Sequence, residues 1–80
     1  MRETSSMEVE ALLSALKPLA DSGTLGASDA AQAASRDSRL LMHAAAEADS
    51  RSRAALGTGD FQSWSDVAVA CARAMAPDRE

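Results

Sequence analysis

The sequence predicts an all-α fold, an antiparallel helical hairpin with a long central helix and a short N-terminal helix, three helices in one small domain spanning 1–80. Three observations carry this reading. Nineteen of the eighty residues are alanine, which loses no side-chain entropy in a helix and ranks first in helix propensity. Larger apolar residues recur at i, i+3, i+4 and i+7, the period of one helical face. Long stretches free of Gly and Pro separate a few turn signals.

The first helix covers about 6–19, where Val9, Leu12, Leu13, Leu16 and Leu19 share one face. Ser5 and Glu8 have the form of a capping box, each side chain satisfying an amide that the helix start leaves unpaired. Pro18 lacks an amide hydrogen and crowds the preceding turn, so this helix should end or bend near Lys17. The run 21–26 then reads as a loop. A second helix is expected over 28–56, with Ser28 as its N-cap and Asp29 against its positive end, since neither Gly nor Pro recurs before Gly57. Such a helix would be a rod of roughly 42 Å at 1.5 Å per residue. In heptads it sets Ala34, Leu41, Ala48 and Ala55 in one row beside Ala31, Ser38, Ala45 and Ser52, a seam of small residues that lets a neighbouring axis come close. Glu47 with Arg51 and Asp49 with Arg53 are i, i+4 pairs on the solvated side. Residues 57–60 form a turn with Gly57 at the helix end and Asp60 able to cap the next helix. That third helix spans about 61–76, with Phe61, Trp64, Ala68, Cys71 and Met75 on one stripe, Val67 and Ala74 widening it, and Pro77 ending it. Val69 falls on another side, where its exposure would mark a second contact surface.

Composition narrows the function. Net charge is -4 with one lysine, and the pI is near 4.8, the wrong balance for clustered phosphate contacts, so nucleic acid is not an expected partner. One cysteine permits no internal disulfide and fits a reducing cytoplasm. No stretch approaches the ~18 apolar residues of a membrane span, and the first residues lack the apolar core of a signal peptide. His43, the single histidine, and the distant Cys71 cannot build a zinc site; a surface position for the one and a buried, inert thiol for the other are expected. The carboxylates are scattered, and no nucleophile–base pair or phosphate loop is recognisable, so catalysis and cofactors are not expected. Met42 and Met75 read as adaptable core filler. Phe61 and Trp64, the only aromatics, either plug the end of the hairpin or anchor a partner, one ring serving each role if both hold.

The run from Leu56 to Trp64, preceded by a long helix and followed by an alanine-rich one, resembles the small co-chaperones of type III secretion needle subunits, the YscE family. Phe61, Gln62 and Trp64 match that family's aromatic-Gln-x-large-apolar opening of the last helix after a Gly-containing turn. The likeness covers about Ala44 to Met75, and the chain departs from the family in its longer first loop and its alanine-rich last helix. It implies a cytoplasmic protein that pairs with a tetratricopeptide-type chaperone to hold a needle subunit.

A helical adaptor or co-chaperone is therefore expected, in a heteromer or a homodimer, with Phe61, Gln62, Trp64, Val67 and Leu41 as partner contacts. The alternative is an acidic regulatory or inhibitor protein, antitoxin-like or phage-derived, that sets Asp29, Asp37, Glu47 and Asp49 against a basic protein site. Leu, Ile, Val and Phe together number twelve in eighty, so helices form easily here but have little to bury.

Overall fold

The Val9–Leu19 apolar stripe forms as the buried side of the first helix, α1, Ser6–Asp21, with Leu12, Leu13 and Leu16 in the interior. The computed structural model describes residues 6–75; Ser5 and Pro77, expected to cap the first helix and end the last, lie outside the described residues. Three further helices follow α1: α2, Ala27–Ala33; α3, Ser38–Ala54; and α4, Asp60–Met75. The all-α class holds among the described residues, with four helices where three were expected.

The first helix does not end near Lys17: α1 passes Pro18 and runs on to Asp21. Proline removes one hydrogen bond, to the carbonyl of Ser14, and both residues lie on the exposed side, where water can take that carbonyl. The turn beyond is held at its end. Thr24 N–H reaches Leu19 O at 2.9 Å and Gly23 N–H reaches Ala20 O at 3.1 Å, a Schellman closure with Gly23 at φ +76.

The expected continuous helix over 28–56 is broken. The second helix starts at Ala27, not behind a Ser28 cap, and the Asp29 carboxylate accepts from Gly26 N–H at 2.9 Å. It ends after one heptad in another Schellman closure, Arg36 N–H to Ala31 O at 2.7 Å and Ser35 N–H to Gln32 O at 3.0 Å. Here the left-handed positions are taken by Ser35 at φ 54 and Arg36 at φ 59. Each costs about 1–2 kcal/mol for a residue with a Cβ. Two gains offset that. Asp37 caps α3, its carboxylate accepting from Arg39 N–H at 3.0 Å and Leu40 N–H at 3.3 Å. The bend also lays α2 against α4 and buries Ala30 and Ala34.

The α3–α4 pair is the antiparallel hairpin, and its seam is small on both sides. Ala44, Ala48 and Ser52 meet Ser63, Val67, Ala70 and Cys71, with Leu41 the one large α3 residue inside. The buried face of α4 is turned from the expected stripe: Phe61 is exposed, while Trp64, Ala68 and Met75 are only part-buried. A close seam admits Ser63 and Ala70 and leaves no room for rings, which move to its rim. Met42, expected as filler, is exposed; Met75 packs against the core. Burial pushes the Cys71 thiol up to about 11.

Candidate functional site

The first turns of α4 and the loop before them bring together the features most able to recognise another molecule. Gly57 takes φ +89 in the turn. Thr58 then does the capping expected of Asp60: its hydroxyl donates to Ala55 O at 2.7 Å and accepts from Asp60 N–H at 3.2 Å. The Asp60 carboxylate, so released, lies 3.4 Å from Lys17 Nζ on α1. Leu56 and Phe61 flank this turn with 67% and 36% of their surface exposed. Gln62 is exposed beside them, its amide donating to Asp66 Oδ1 at 2.9 Å.

One turn further along, Trp64 lies where α1 crosses the hairpin. Lys17 Nζ stands 5.4 Å from its ring centroid and Arg51 Cζ 5.1 Å, so cations from α1 and α3 flank an α4 ring. Both cations are tied to acids. Arg51 pairs with Glu10 of α1 and with Glu47 at 3.1 Å. Lys17 pairs with Asp21 at 3.1 Å, and Asp21 accepts from the Ser63 hydroxyl at 2.5 Å. Asp21 titrates below its ordinary range, first because of the Ser63 hydroxyl and then because of Lys17; Lys17 is raised, chiefly by its hydrogen bond to Asp21. Trp64 is thus an internal staple between three helices. The spacing of Glu47 and Arg51 is legible in the sequence, but Arg51 also reaching Glu10 and Trp64 is a tertiary event without a local signal.

Of the five expected contact residues, Phe61, Gln62 and Trp64 sit together on the first turns of α4. Leu41 and Val67 do not join them: they are 1% and 0% exposed and form the α3–α4 core, leaving no surface for a partner. Val69 is exposed as expected, and it borders a cleft of about 280 Å³ between the 22–26 loop with the start of α2 and the α4 face carrying Asp66 and Arg73. The carboxylates of the alternative reading are engaged locally: Asp29 at the start of α2, Asp37 on α3, Glu47 with Arg51, and Asp49 with Arg53 at 2.9 Å. His43 is exposed. Among the described residues no cluster of His, Cys, Asp or Glu could hold a metal, and no helix is long and apolar enough to cross a membrane. Comparison with protein-family models, curated proteins and solved structures finds no match to this chain.

Proposed function

We propose that this chain is a small helical adaptor or co-chaperone that binds a partner protein through the turn end of its α3–α4 hairpin. The observation that carries the reading is the exposure of Leu56 and Phe61 on either side of the 57–60 turn, in a chain that has few large apolar residues to spare from its core. Phe61 belongs to the aromatic class enriched at the core of protein interfaces, and the first turn of α4 presents it on a helical frame. The resemblance of residues 56–64 to needle-subunit co-chaperones supplies the finer proposal, a cytoplasmic complex with a tetratricopeptide-type chaperone and its needle subunit. In that reading the hairpin end docks on the chaperone and Trp64 acts from behind, holding α1 in place.

Co-expression with such a chaperone and needle subunit, followed by gel filtration, tests it. The proposal expects the three chains to elute together and Leu56→Ser with Phe61→Ala to weaken binding by ~2 kcal/mol, about 30-fold, with helicity unchanged. Raising the salt should change the affinity little, because the contact is apolar. Absence of any complex removes the finer proposal, and a complex indifferent to the double substitution removes the hairpin end as the surface.

A further inference from the structure

The junction between α2 and α3 is built unlike the other two. Loops 22–26 and 55–59 each contain glycine, and Gly23 and Gly57 take the positive φ there. The 34–37 junction puts two consecutive side-chain-bearing residues, Ser35 and Arg36, in the left-handed region, and no Gly or Pro occurs from Ala27 to Leu56. The apolar pattern ignores the break. Buried Ala30, Ala34, Leu41, Ala44, Ala48 and Ser52 follow one another in steps of four, seven, three, four and four, the rhythm of a single stripe on an unbroken helix. Two helices joined by a fixed bend have no need to stay in phase across it.

We propose that Ser35–Asp37 is a hinge through which two copies of this chain exchange their first two helices, residues 27–54 straightening into one helix in each copy. A straight helix over those residues measures roughly 42 Å. In that helix residues 27–33 extend beyond the start of α3 instead of lying against α4, so straightening carries α1 and α2 off their own α3–α4 hairpin. That hairpin then lacks the cover that α2 gives α4 and α1 gives both helices. A second copy supplies the same surfaces, residue for residue, including Asp21 for Ser63 and Lys17 for Trp64. Straightening also releases both left-handed residues, at the loss of the Asp37 cap. The occupant is therefore this chain itself, and the inference stands whether or not the hairpin end binds another protein.

The test is to refold the full chain from denaturant at several concentrations and measure mass by light scattering on gel filtration. The dimer fraction should rise with concentration in the native chain, and further in Ser35→Ala with Arg36→Ala, which favours the helix. Ser35→Gly with Arg36→Gly makes the bend easy and the helix poor, and should lower dimerisation at least about tenfold. In Asp21→Cys with Ser63→Cys, whose native side chains meet, the dimer should carry the disulfide between chains on a non-reducing gel. Monomer alone from the native chain at every concentration overturns the proposal. So does a dimer that the glycine pair leaves unchanged, or one whose disulfides close within single chains.

Discussion

Lys17 is the only lysine of the chain, and it is held between Asp21, Asp60 and the face of Trp64. Removing the ring therefore does more than trim a surface. Trp64→Ala strips α1 and α3 of their shared contact and should destabilise the fold by about 2 kcal/mol, reading part-burial against the larger loss of a core aromatic. That corresponds to a fall of about 8–16 °C in melting temperature for a domain of this size, measured by circular dichroism. Trp64→Phe should restore part of it, since a smaller ring keeps the packing and a weaker face for the cations. Loss of binding in Trp64→Ala then reports on α1, whereas Phe61→Ala reports on the proposed contact surface. Asp21 gives a pH signature. Its folded pKa lies below the ordinary aspartate value of 3.8, so its contribution to stability is present above that value and disappears as pH falls through the folded pKa. Ser63→Ala should raise the Asp21 pKa toward its ordinary range, as followed by carboxyl NMR titration; an unmoved Asp21 would show that the hydroxyl does not set it.

Among the elements, the two local capping devices at the α2–α3 junction decide between one helix and two. Asp37 offers α3 a carboxylate for two amides, and Asp37→Ala should cost about 1 kcal/mol in urea unfolding if the bent form is the one that unfolds. No change would mean that the Asp37 cap does not hold the bend. Much of the architecture is legible from period and punctuation: the α1 face, the Gly57 turn, the small α3 seam and the helical pairs Glu47–Arg51 and Asp49–Arg53. The bend is not legible, because Ser35 and Arg36 carry no marker of positive φ and the stripe runs through them in phase. Asp37 followed by Ser38 is a faint N-cap signal, hidden by good helix formers on both sides. Pro18 misleads for the opposite reason, since a strong local breaker is overridden by the Gly23 closure behind it and the packing of Leu16 and Ala20 beside it. The turn of α4 comes from tertiary packing: with an alanine seam opposite, small residues face inward and the aromatics move to the rim.

For the whole molecule, the decisive quantity is how little the interior holds. Among the described residues half of the buried apolar ones are alanine, namely Ala20, Ala30, Ala34, Ala44, Ala48 and Ala70, and the largest fully buried side chains are Leu13, Leu16, Leu41, Val67 and Cys71. A single core in a chain of about this length rarely supplies more than about 3–5 kcal/mol, and many buried Leu, Ile or Trp residues, which could raise that figure, are lacking among the described residues. Meanwhile Leu56, Phe61, Met42 and Val69 are exposed, apolar surface that the core does not use. Association, with a partner or with a second copy, is thus expected to supply part of the stability. Thermal unfolding of the purified chain by circular dichroism across a wide concentration range tests this most directly. The melting temperature should climb with concentration and climb further when a binding partner is added. A sharp transition at high temperature, unmoved by dilution and given by a monomer, would contradict it.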